Sequence, residues 1–88
     1  MIRAMLTPPA ALEAILFASG EPIEKKRAAT LLGLTPNELK VVIGALSDSL
    51  KTRGITLIET ASEVELRTSA EAANIVKKLR ESELSRDL

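Results

Sequence analysis

The hydrophobic period of this 88-residue chain changes at Gly54, and that change limits the fold more than any other feature. Before it, Leu39, Val42, Ile43, Leu46 and Leu50 recur at i, i+3, i+4, i+7 and i+11, the spacing of one helix face. After it, Ile55 and Leu57 alternate with Thr56, and Val64 and Leu66 alternate with Glu65 and Arg67. That is the spacing of two half-buried strands. Between them, Thr60-Ala61-Ser62-Glu63 reads as a hairpin turn, although it lacks the Gly or Asn that such turns favour. A long helix must therefore feed directly into a small hairpin.

Helix signals surround this junction. Thr35-Pro36-Asn37-Glu38 has the form of a capping box with proline in the first turn. It predicts a helix running to about Thr52 and stopping at Gly54. Thr7-Pro8-Pro9 opens an earlier helix over about 8–19, with Leu12, Ile15 and Leu16 inward and Gly20 as its stop. Glu21-Pro22-Ile23 is extended, because a residue before proline avoids the α region, and Pro22-Ile23 could add a third sheet edge. A second helix spans Glu24 or Lys25 to Leu32 and ends at Gly33, with Ala28, Leu31 and Leu32 inward. A fourth, capped by Thr68 or Ser69, turns Ala72, Ile75, Val76 and Leu79 inward. The second and third helices, joined by Leu32-Gly33-Leu34-Thr35, form a helix-turn-helix. With the hairpin after it, the order defines an α+β winged helix-turn-helix: a three-helix core, a β-hairpin wing and a C-terminal helix. The domain is expected over 1–80, and 81–88 reads as a tail.

Composition removes most chemistry. The chain has no His, Cys, Trp or Tyr, which excludes zinc fingers, thiol nucleophiles, His-based acid–base pairs and base-stacking platforms. Glu63/Glu65 and Glu81/Glu83 are adjacent carboxylates of a solvated surface. There is no Gly-rich phosphate loop and no metal-ligand spacing, so neither enzyme activity nor a cofactor is expected. No apolar run approaches the ~20 residues of a membrane span. The apolar start breaks at Thr7-Pro8-Pro9, which fits a signal peptide poorly. A cytoplasmic location is the default expectation.

Winged helices often read DNA through the outward face of the second helix of the pair. Here that face carries Lys40, Val41, Gly44, Ser47, Asp48 and Lys51, with Asn37 at its start and no Arg or Gln. The wing turn is acidic, and 12 Lys+Arg balance 12 Asp+Glu. Direct DNA binding is therefore expected to be weak or absent, and a winged-helix transcription regulator is the alternative. Lys25, Lys26 and Arg27 form the one basic cluster, against the dipole of the helix they open. They are either solvated charge or a contact for phosphate or an acidic partner. The chain is 45% apolar with a mean hydropathy of +0.13. Part of that excess is out of register, at Phe17 off the first helix's stripe, Val41 opposite the third's, and Ile58 breaking strand alternation. Phe17 belongs either to a core that sandwiches the first helix or to a contact surface. Val41 and Ile58 are either single exposed residues or parts of such a surface. Ala10 and Ala14 join these three as candidate partner or self-interface positions.

Leu12-Glu13-Ala14-Ile15-Leu16-Phe17-Ala18-Ser19-Gly20-Glu21-Pro22-Ile23 resembles the opening helix and connector of the segregation and condensation protein B (ScpB) family. The resemblance continues through Leu31-Leu32-Gly33-Leu34, Arg53-Gly54-Ile55, Leu57-Ile58-Glu59 and Leu66-Arg67-Thr68, over roughly residues 11–80. It implies a non-enzymatic subunit of a bacterial SMC–kleisin condensin, with two consecutive winged-helix domains and homodimers formed largely through the first. It also implies a kleisin partner, ScpA, which bridges the SMC heads in chromosome condensation and segregation, and so a nucleoid-associated location. Two departures stand out. The wing turn is Ser62-Glu63-Val64 where the family is commonly Gly-rich and then aromatic. A second winged-helix domain is missing, although Leu84-Ser85-Arg86 resembles its start. Self-association and part of kleisin binding are the expected duties of this chain.

Overall fold

Thr7 and Gly20 bracket the first helix as the sequence requires. The structure, a computed structural model, describes residues 6–85. In α1 (Pro8–Ser19) the Thr7 hydroxyl accepts the Ala10 N–H at 3.3 Å. Gly20, at φ 68°, donates its own N–H to the Leu16 carbonyl at 3.2 Å. The chain then crosses β1 (Ile23–Glu24) into α2 (Lys25–Leu32), which ends on Gly33 at φ 69°. There the Leu34 N–H reaches back to the Ala29 carbonyl at 2.9 Å, a Schellman closure. The capping box of α3 (Pro36–Ser49) is complete. Glu38 N–H donates to Thr35 Oγ1 at 3.1 Å, and Thr35 N–H donates to Glu38 Oε1 at 2.9 Å.

The far end of α3 departs from expectation. The helix stops at Ser49 with Leu50 as its cap, and Thr52, not Gly54, takes the left-handed conformation at φ 70°. Gly54 instead offers its carbonyl to the Ser69 N–H at 2.8 Å, closing the base of the hairpin. Strands β2 (Ile55–Glu59) and β3 (Glu63–Thr68) pair antiparallel with Leu57 opposite Leu66. β1 adds the third edge through Ile23 opposite Val64, giving the order β1-β3-β2. The wing turn manages without glycine because Thr60 closes it. Its N–H donates to the Glu63 carbonyl at 2.9 Å, while its hydroxyl accepts the Glu63 N–H at 3.0 Å. The Lys25 N–H, donating to the Ser62 carbonyl at 2.8 Å, ties this turn to the start of α2.

Leu12 and Leu16 of α1, Leu46 of α3 and Val64 of β3 are the largest fully buried side chains. They join α1, α3 and the sheet in one core, against which α2 packs through Ala28 and Ala29. The expected inward stripe of α2 is thus corrected. Leu31 is exposed, and the small Ala29 takes the buried position beside Ala28. The fourth helix is corrected more substantially. A 3-10 turn (Ala70–Ala72), capped by Ser69 without a side-chain hydrogen bond, leads into α4 (Ala73–Ser85). Its main packing is against that turn and not against the three core helices. Ile75 and Leu79 are 72% and 57% exposed, so no inward face exists for them in this chain. The radius of gyration, 15.6 Å, exceeds the about 12 Å of a compact chain this long because α4 projects. The segment expected to be a tail is helical as far as Ser85, and residues 86–88 lie outside the described residues.

Candidate functional site

Successive helical residues are ~100° apart, so burying Leu12 and Leu16 carries Phe17 off the core face of α1. It is 75% exposed, which overturns the sandwiched-core reading. Phe17, Ala14 and Ala10 follow one another up α1 at helical spacing and share a shallow hollow of about 390 Å³ with Leu6, Ile55 and Leu66. Glu13 is the one charged residue on its wall. A neighbouring hollow of about 250 Å³, floored by Leu16, Ile55 and Leu66, meets it at Phe17. The two small alanines leave the space that Phe17 and the sheet residues border. Ile55 lies on the same strand face as buried Leu57 but beyond the edge of the core, and is exposed.

Val41 and Ile58 are not part of this surface. Val41, 72% exposed, lies off the Leu39, Val42 and Ile43 face of α3. Ile58 is exposed opposite Glu65 on the outer face of the sheet, where Arg67 Nε and Glu65 Oε1 pair at 3.1 Å. Of the five candidate interface positions, the structure assembles Ala10, Ala14 and Phe17 and leaves Val41 and Ile58 apart. Leu6, Ile55 and Leu66 were absent from the sequence-based set; the last two are strand residues that only the tertiary fold brings to α1, while Leu6 lies beside it, just before the Thr7 cap.

A second concavity, of about 470 Å³, lies where the starts of α2 and α3 meet the end of β2. Ala29, Leu39 and Ile43 floor it, while Lys25, Lys26, Lys40, Asn37 and Glu59 stand around it. Lys25 Nζ and Glu59 Oε2 pair at 2.7 Å. The basic cluster is thus divided: Lys25 and Lys26 border the groove and Arg27 does not. Lys40, spaced 14 residues further along, joins them through the helix-turn-helix geometry. Just past the end of α3, Lys51 pairs with Asp48 at 3.2 Å, so a neighbouring carboxylate engages one of the two lysines expected on that face. Among the described residues there is no group of His, Cys, Asp and Glu able to hold a metal ion. No helix there is long and apolar enough to cross a membrane.

A helix-turn-helix closed by a three-stranded wing, with an apolar face on α1 and a lysine-rimmed groove between α2 and α3, defines a winged-helix domain. The family model of the segregation and condensation complex subunit ScpB matches residues 10–88, and the chain belongs to that family. This is the family whose motif the Leu12 to Ile23 segment resembles. Segregation and condensation protein B of Alkaliphilus metalliredigens (strain QYMF) is 32% identical over 81 residues, covering 90% of this chain. The match covers 43% of that relative, so the chain spans less than half its length. Among solved structures, a dimer of the ScpB N-terminal domain complexed with ScpA peptide superposes with a TM-score of 0.77 at 35% identity. The match covers 85% of this chain and 94% of that one.

Proposed function

We propose that this chain is the self-associating, kleisin-holding N-terminal domain of an ScpB-type condensin subunit. In this reading it acts in chromosome condensation and segregation, in the cytoplasm at the nucleoid, by binding ScpA and through it SMC. A second winged-helix domain completes the subunit. It catalyses nothing, in keeping with a chain that lacks His and Cys. It does not read DNA, in keeping with an α3 that carries no Arg and with Lys51, just past its end, paired to Asp48.

The observation that carries this reading is Phe17, the single aromatic, exposed in a continuous apolar face with Ala10, Ala14, Leu6, Ile55 and Leu66. Leaving such a side chain in water forgoes about 2 kcal/mol that burial would supply. A contiguous exposed apolar patch marks a contact surface. The flat, two-alanine profile of α1 suits a second copy of the same face, and the solved relative at 35% identity is a dimer. Light scattering tests this directly. The wild-type chain is expected at twice its 9.4 kDa monomer mass and Phe17→Glu at the monomer mass. Val41→Glu, which lies off the face, should remain dimeric. A wild-type mass of 9.4 kDa at high concentration overturns the self-association. Failure of the organism's own ScpA to bind the wild-type chain overturns the kleisin part.

A further inference from the structure

We propose that the groove between α2, α3 and β2 seats an acidic segment of the kleisin that inserts apolar side chains. This rests on the reading of the chain as a kleisin holder and adds where and by what chemistry it holds.

The floor is hydrocarbon. Leu39, Ile43 and Ala29 are core residues whose outer surfaces face the groove, and the small Ala29 leaves open the volume a larger side chain would fill. The rim is cationic in a chain whose formal charge is zero. Three ammonium groups, from Lys25, Lys26 and Lys40, face one carboxylate, from Glu59. Lys25 is already engaged by that carboxylate, whereas Lys26 and Lys40 have no ion-pair partner among the described residues. Two free cations beside an apolar floor recognise carboxylates flanking Leu-like side chains. Asn37 adds an amide able to bond a bound segment's backbone.

Nucleic acid fits less well. A phosphate backbone would use the lysines, leave the hydrocarbon floor uncovered and pass Glu59 at like charge. The groove shares no lining residue with the α1 hollows, so occupying it leaves the Phe17 face free. Self-association and kleisin capture can thus proceed on the same domain at once.

The test is calorimetric titration of the organism's full-length ScpA into the wild-type chain, Lys26→Glu/Lys40→Glu and Glu59→Gln. Light scattering and circular dichroism of each variant accompany it. Both lysines are exposed, so the double variant is expected to keep its fold and its mass. Its affinity for ScpA should fall roughly tenfold, and Glu59→Gln, which removes the opposing carboxylate, should bind about twofold more tightly. Binding unchanged in both variants overturns the groove while leaving the kleisin reading intact. No binding to the wild-type chain overturns both. Short duplex DNA tested alongside gives the third outcome. If the double variant loses DNA affinity and keeps its ScpA affinity, the groove belongs to nucleic acid and the proposal is wrong.

Discussion

Thr52 holds φ at 70°, a conformation in which a β-branched side chain crowds its own carbonyl. The flanking hydrogen bonds impose it. Leu50 N–H returns to the Leu46 carbonyl at 3.1 Å and Arg53 N–H to the Leu50 carbonyl at 3.0 Å, leaving Thr52 to reverse the chain. Gly20 and Gly33 make the same reversal at no steric cost, since glycine carries no Cβ. Those two stops were readable from sequence for that reason. The third was not, because Gly54 is the obvious stop signal and sits two residues late. Asn tolerates the left-handed region without glycine's extra chain entropy. Thr52→Asn is therefore expected to stabilise the fold by about 1 kcal/mol, raising the thermal midpoint ~4–8 °C. A midpoint that falls instead would show that the threonine side chain contributes more than the strain it bears.

Among the elements, α4 separates what periodicity can tell from what it cannot. Ala72, Ile75, Val76 and Leu79 predict an amphipathic helix, and a helix forms, but no core surface is left to receive its apolar stripe. Leu12, Leu16, Leu46 and Val64 already close the core without it. Ile75→Glu/Leu79→Glu should accordingly cost less than ~0.5 kcal/mol in urea unfolding, as exposed substitutions do. Leu16→Ala, fully enclosed, should cost about 2–5 kcal/mol. A double variant as damaging as Leu16→Ala would mean that α4 is packed after all. The same limit explains α2. Hydrophobicity selects Leu31 for the interior, but it stays exposed, while Ala28 and Ala29 are buried and Leu32 packs partly against the core. Element order, both proline-opened helices and the capping box were legible because local hydrogen bonds and chain entropy set them, and the extended Glu21-Pro22-Ile23 segment because proline restricts the residue before it. Phe17 was legible as off-stripe by angle alone. Ile55, Leu66 and the Lys40–Glu59 side of the groove were not, since their neighbours come from other parts of the chain.

At the scale of the molecule, the chain balances a small core against an apolar face it leaves in water. A domain of this size buries a modest fraction of its surface and is only marginally stable alone. If the α1 face pairs with a second copy, folding and association are linked, and the monomer's stability is supplemented by mass action. For a dimer in equilibrium with unfolded chains, each tenfold rise in protein concentration adds up to about 0.7 kcal/mol per protomer. In a domain this small that moves the thermal midpoint by ~3–6 °C. The wild-type midpoint, followed by scanning fluorimetry or calorimetry across a hundredfold concentration range, should therefore climb steadily. The Phe17→Glu midpoint should stay flat, because the variant removes the shared face while leaving Leu12 and Leu16 in place. Lys26→Glu/Lys40→Glu, altering only the groove rim, should follow the wild-type slope. A flat wild-type line would assign the whole stability to the monomer and remove the linkage; a sloping Phe17→Glu line would place the self-contact on another face of the domain.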